Sequence, residues 1–377
     1  VIFSLLARSR LIAVVPIGVG LEVPTLLESQ SALRKNWTST LEVANGSAPL
    51  LVIVCAVAAC AATISWERHQ EMLPPLGLRQ LVVRLGPALV IAALLSITHV
   101  IWVAGVCLLT RSGTTGTLHL EVLLPIPLAL LAGALLGAVV GMWSRSWFAV
   151  PLVGVALFLA LVNLTGGRRG SLVTLGGIGD ALTGAQVRSE IVGAQVLWFF
   201  AIALAATAAL AAGRHRGRLG LPVLALALPI LAGSYLTSLG PDRFELAKVD
   251  WSCSETTPKL CVLEERSRSL LPLAPRLQAA HARLAEMGGG SSEATYWQRL
   301  DKHDPSHEHE VSLRAKMSDL ELALAVLAAD AACSDEWSYP QYMSAEGVAQ
   351  EIVGDGLLDG TPTVGNVSAQ TLRELDC

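Results

Sequence analysis

Apolar residues run in long unbroken blocks up to about residue 239, separated by short polar stretches; beyond it they recur at three- and four-residue spacing. Blocks of roughly 17–25 apolar residues can cross a bilayer as helices. Seven are legible: Leu11–Leu27, Ala48–Ser65, Leu81–Leu109, Val122–Trp143, Phe148–Leu164, Ile191–Ala212 and Leu219–Leu239. The first is the weakest, because it carries Pro16, Glu22 and Pro24. It is not followed by a small-residue cleavage site, so no cleavable leader is expected. The third is long enough to tilt or to begin as a surface helix.

The pattern changes after Gly240. Leu273, Leu277, Leu284 and Met287 share a helical face that stops at Gly288-Gly289-Gly290. Leu313, Met317, Leu320, Leu324 and Leu327 predict a helix over Val311–Ala332. Ser344 and Ser368 could each cap a further short helix, and Val262-Leu263 suits a short strand. The expected fold is therefore an all-α membrane protein of about seven transmembrane helices (1–239) followed by a small, mostly helical, disulfide-bonded domain (240–377).

Composition agrees with this division. The 377 residues are 53% hydrophobic and 15% charged, against about 25% charged in soluble domains. Of 27 Lys/Arg and 31 Asp/Glu, 15 and 8 precede Asp242, leaving 12 and 23 after it. A mildly basic membrane part carries an acidic tail, and nothing points to nucleic-acid binding. With the amino end inside, the inner segments hold Arg8 and Arg10, then Arg68, Arg79 and Arg84, then Arg145, then Arg214, Arg216 and Arg218. That bias favours a cytoplasmic amino end, and an odd number of spans puts the tail outside.

Cysteine usage gives a second argument. Cys55, Cys60 and Cys107 lie in apolar runs as small hydrophobes. Cys253, Cys261, Cys333 and Cys377 all lie in the tail, which suits an oxidising exterior and two disulfides. Local spacing favours Cys253–Cys261 and leaves Cys333–Cys377, one of three connectivities.

Few groups suggest chemistry. His303, His307 and His309 sit in an acidic run that could hold Zn²⁺ but lacks the H-E-x-x-H spacing, so no metal site is assigned. Neither G-x-S-x-G nor G-x-x-x-x-G-K-[ST] occurs, so no enzyme is expected and this chain does not itself hydrolyse ATP. The span centres carry almost no ionisable groups. His99 is the clearest exception, read as a helix–helix hydrogen bond rather than a proton relay. Gly133, Gly137 and Gly141, at four-residue steps, predict close packing of the fourth run on another helix, within one chain or between two. Asn45-Gly-Ser47 is one of four matches to the glycosylation triplet, a pattern that chance often produces.

Between the second and third runs lies a charged, amphipathic elbow: Trp66, Glu67, Arg68, Glu71 and Arg79, with Pro74-Pro75 dividing it into a short helix and a second helix that leads into the third span. Such a segment can dock into a groove on a partner or lie on the lipid surface. This elbow, the amino end placed inside and the later helical pairs resemble permease subunits of ABC-2-type exporters. More narrowly, the layout is similar to actinobacterial ABC-2-like membrane proteins with an extra final span and a C-terminal extracytoplasmic domain. Trp251-Ser-Cys253 and Cys261-Val-Leu-Glu-Glu265 add to the resemblance.

The resemblance implies a bacterial plasma-membrane permease, paired with a second permease copy or paralogue and driven by a separate ATP-binding subunit. That partner would hold ATP and Mg, with no cofactor in this chain, and the elbow would be the coupling helix. The seventh span and acidic tail depart from the basic six-span permease. They leave open a non-transporting membrane receptor or assembly protein acting through its extracytoplasmic domain.

Overall fold

The computed structural model describes residues 13–28, 37–70, 78–111, 114, 118–164, 172–176, 185–212, 224–240, 243–246, 250–286, 294–298, 309–311, 313 and 317–330. The chain divides into two compact units, Val1–Leu182 with Gln186–Glu245, and Thr183–Ala185 with Leu246–Cys377. The expected boundary at 239/240 shifts to 245/246. Arg243 still pairs with Glu42, and Gln186 Nε2 still donates to Glu245 Oε1 at 2.9 Å.

The first unit is a helical bundle: α1 Val14–Glu28, α2 Trp37–Ala44, α3 Ala48–Gln70, α4 Leu78–Thr110, α5 Pro125–Ser144, α6 Ala149–Leu164, α7 Ser189–Ala212 and α8 Ala227–Ser238. Four stretches are long and apolar enough to cross a membrane: Trp37–Trp66, Arg84–Thr110, Leu120–Ser144 and Ser189–Ala212. Seven spans are therefore not established. The other three runs form helices of 15, 16 and 12 residues. At 1.5 Å per residue these reach roughly 18–24 Å, short of a hydrocarbon core of about 30 Å.

Packing in this unit reverses that of a soluble protein. Its interior is rich in alanine, with Ala56, Ala59, Ala129 and Ala138 wholly buried, while Phe148, Leu109, Leu152 and Ile230 face outward. Small residues let backbones approach, and large apolar ones suit lipid. The unit is compatible with a membrane-embedded protein.

α5 is the central helix. Gly133, Gly137 and Gly141 lie against α3 of the same chain. A Cβ on Gly133 would meet Val52 O at 2.9 Å, one on Gly141 would meet Cys60 O at 2.6 Å, and one on Gly137 would collide with Ala56 O. The glycine steps thus serve contact inside one bundle. α3 itself is extended at its start: α2 and the turn Asn45–Ser47 join it into one apolar stretch, Trp37–Trp66.

The second unit adds to its helices a sheet that the mostly helical expectation did not include. A four-stranded sheet of order β3-β4-β5-β6 is built from Trp251–Cys253, Lys259–Leu263, Thr295–Gln298 and His309–Val311. β3 runs antiparallel to β4, while β5 and β6 continue parallel. A parallel neighbour needs a crossover of a dozen or more residues, and α9 (Ala274–Glu286) lies in the one between β4 and β5. Leu260 to Leu263 are all buried, as in a strand covered on both faces.

α10 spans Asp319–Asp330 and starts later than expected. Ser318 and Glu321 form a capping box: Ser318 Oγ accepts from Glu321 N at 3.2 Å, and Glu321 Oε2 accepts from Ser318 N at 2.8 Å. Val311, expected at the head of this helix, ends β6 (His309–Val311) instead. The helices expected from Ser344 and Ser368 lie outside the described residues. A further pair, β1 (Ala185–Val187) and β2 (Phe244–Leu246), forms its own two-stranded ladder.

Candidate functional site

Two groups of polar residues matter in the first unit. One is buried among α1, α2 and α4. Glu22, Ser39, Thr40, Glu42, Asn45 and Ser47 are wholly buried, and His99 nearly so. Ser47 Oγ donates to Glu22 Oε2 at 2.5 Å. Glu22 Oε1 lies 2.8 Å from His99 Nδ1, and His99 Nε2 lies 3.2 Å from Asn45 Oδ1. Beside this chain, Arg243 Nη1 donates to Glu42 Oε2 at 2.8 Å.

Local sequence explains the placement. Asn45-Gly46-Ser47 forms the turn between α2 and α3, where short polar side chains can bend the chain and still bond across it. Asn45, in the turn just past α2, follows Glu42 by three residues, which keeps the two close at the end of that helix. Close approach seats α1: a Cβ on Gly18 would lie 3.0 Å from Leu95 on α4. His99 follows Leu95 by one helical turn and so reaches the level of Glu22. The expected helix–helix hydrogen bond of His99 is therefore present, but its partner is a buried carboxylate. Against the expectation of span centres with almost no ionisable groups, Glu22 and Glu42 join His99 among the exceptions. The buried Asn45 is also a poor glycosylation acceptor.

The other group lies at one end of the bundle. α3 runs unbroken to Gln70, so Glu67 and Arg68 occupy its last turn and do not begin a separate helix. Trp66 is half-buried there. Arg79 belongs to the first turn of α4, and Glu71 lies outside the described residues. Arg84 Nη1 donates to Leu210 O, near the end of α7, at 3.5 Å. Gly141 packs on Cys60 and Thr63, which brings Arg145, the C-cap of α5, to the same end. This end therefore gathers the termini of α3, α4, α5 and α7. In sequence it continues into Arg214, Arg216 and Arg218.

In the second unit, Cys253 and Cys261 face each other across β3 and β4 and form a disulfide. Cys333 and Cys377 lie outside the described residues, as do His303 and His307. His309 sits on β6, and its Nδ1 donates to Ala329 O at 3.1 Å. Among the described residues no three His, Cys, Asp or Glu are grouped to hold a metal ion.

No family model matches the chain, nor does any curated protein or solved structure.

Sequence reasoning missed α2 and the burial of Glu22 and Glu42. The available signal was Glu22 itself: an acid inside an apolar run marks a functional position by default, and its partner should be sought.

Proposed function

We propose that this chain is the membrane-spanning permease subunit of an ABC-type exporter, driven by a separate ATP-binding subunit. The carrying observation is the gathering of the α3 and α4 termini, with Arg84 and Arg145, at one end of an apolar bundle. Short loops rich in Arg orient such an end towards the cytoplasm. α3 and α4 leave only 71–77 between them, so a partner that pushes on this elbow moves two helices together. Through its glycines, α5 lies against α3 and would carry that motion into the bundle. In this reading Trp66, Glu67, Arg68, Glu71 and Arg79 form the coupling segment, and the disulfide-bonded unit lies outside the cell.

The test begins with gentle purification from the native membrane. A stoichiometric ATP-binding subunit is expected to accompany the chain. Charge reversal at both Arg68 and Arg79 should then leave the partner's basal ATP hydrolysis in place and abolish its stimulation by the permease. A chain that purifies alone, or only with envelope proteins, overturns the transporter reading and favours a receptor or assembly role for the second unit.

A further inference from the structure

We propose that Glu22 and His99, held by Asn45 and Ser47, form a proton-binding site inside the first unit, and that its occupancy holds α1 against α2 and α4. This goes beyond the exporter reading and does not depend on a partner ATPase.

The argument is a count of hydrogens. Both ring nitrogens of His99 face oxygens: Nδ1 faces Glu22 Oε1 at 2.8 Å, and Nε2 faces Asn45 Oδ1 at 3.2 Å. With its oxygen towards the ring, Asn45 accepts from Nε2, which then carries a proton; turned by half, the amide would instead donate to a bare Nε2. A second proton occupies the contact between Nδ1 and Oε1, on either atom. In the first orientation the cluster holds one proton more than a neutral imidazole beside a carboxylate, and its net charge is zero. Ser47 fills the other carboxylate oxygen at 2.5 Å. At these distances the four side chains touch directly, and hydrogen is the ligand that fits between them.

Removing the extra proton leaves Glu22 ionised and His99 neutral, with Nδ1–H donating to Glu22 and Nε2 bare. Asn45 can serve that state as well. Its Nδ2 is buried and has no hydrogen-bond partner among the described residues, and a half-turn of the amide would bring it to Nε2 as a donor. The ring is thus paired in both states. The charge is not, because the emptied site carries one net negative charge.

Little nearby compensates that charge among the described residues. α5 has no ionisable side chain along Pro125–Ser144. α3 offers the thiols of Cys55 and Cys60, and its charged Glu67 and Arg68 lie in its last turn, far along the helix from Ser47. α2 offers Glu42, already paired with Arg243. α7 offers Glu190, exposed and paired with Arg188. His99 lies about 16 Å along α4 from Thr110 and about 22 Å from Arg84, well inside the span. A lone charge there is costly without water or an opposite charge. Deprotonation therefore favours a state in which α1 parts from its neighbours and water reaches Glu22. By linkage, proton binding favours the closed state.

The full chain in lipid nanodiscs tests this by hydrogen exchange. The readout is the exchange of α1 relative to α5, which cancels the pH dependence of the chemistry itself. From mildly acidic to alkaline pH, this ratio is expected to rise roughly tenfold or more in the wild type. In Glu22→Gln, which keeps the shape without the charge, it should stay flat. A flat ratio in the wild type overturns the proposal and leaves the cluster as structural glue. Should Glu22→Gln fail to fold, the ring nitrogens of His99 in ¹⁵N-histidine-labelled wild type decide. An Nε2 that is protonated at mildly acidic pH, with a proton shared between Nδ1 and Glu22, and bare at alkaline pH supports the site. An Nε2 that keeps one protonation state across that range overturns it.

Discussion

Arg243 reaches back across 201 residues of sequence to Glu42, placing a guanidinium 2.8 Å from a carboxylate where both side chains are buried. Burying either charge alone is expensive, and removing one partner of such a pair typically costs about 3–5 kcal/mol. Arg243→Met should therefore lower the melting temperature of the full chain sharply. Glu42→Gln combined with Arg243→Met should restore much of the loss, because no lone charge remains. A thermal-shift series over the wild type, the two single variants and the double variant checks this. Equal losses in Arg243→Met and the double variant would show that the lone charge is not the cause.

Gly137 and Gly105 make a matched pair of tests. A methyl group at Gly137 would collide with the backbone carbonyl of Ala56, which cannot rotate away, whereas one at Gly105 meets nothing within 4 Å among the described residues. Gly137→Ala must push α3 and α5 apart, at a cost of about 1–3 kcal/mol as for other overpacked cores. Gly105→Ala removes helix-breaking freedom and should be neutral or stabilising by about 0.5–1 kcal/mol. Thermal unfolding of the two variants in one detergent separates them. If they behave alike, the glycine steps do not mark the helix contact.

How much of this was legible follows from what each signal measures. Long apolar runs report solvent, so α3, α4, α5 and α7 could be read directly, and four-residue glycine steps report close approach. α2 was illegible because Thr38, Ser39, Thr40 and Glu42 look like a loop until Arg243 and the α1–α4 contacts are known. Glu22 was visible and His99 was visible, but their meeting depends on α1 folding against α4, which periodicity does not encode. In the second unit β5 and β6 have four and three residues, too few to show alternation. Their parallel pairing is a long-range choice. By contrast, Ser318-Asp-Leu-Glu321 was a readable capping box that would have moved the start of α10 to its observed place.

The disulfide between Cys253 and Cys261 closes a short hairpin, with the two residues 8 apart in sequence. Loop-closure entropy for so short a loop gives about 2–3 kcal/mol. Cys253→Ala with Cys261→Ala should therefore speed hydrogen exchange in β3 and β4 and leave α3 and α5 unchanged. The bond also reports placement. A membrane-impermeant reductant added to intact cells should break it if the unit faces outward. Full protection from that reductant, with ready reduction after lysis, would count against an extracytoplasmic tail.

In the second unit, Tyr296 and His281 form a buried side-chain contact, with the phenol oxygen 2.7 Å from Nδ1. Tyr296 is on β5 and His281 on α9, so this bond ties the crossover helix to the strand it precedes. Tyr296→Phe keeps the ring in the core and leaves Nδ1 without that partner. The expected loss is about 1–3 kcal/mol, the penalty for stranding a buried polar group. His281→Leu with Tyr296→Phe removes both ends and should cost less than the two single losses added together, since neither group is stranded. Hydrogen exchange of β4 and β5 in the full chain reads this unit separately from the bundle. Strict additivity would mean that the bond contributes nothing of its own, and that packing alone holds α9 on the sheet.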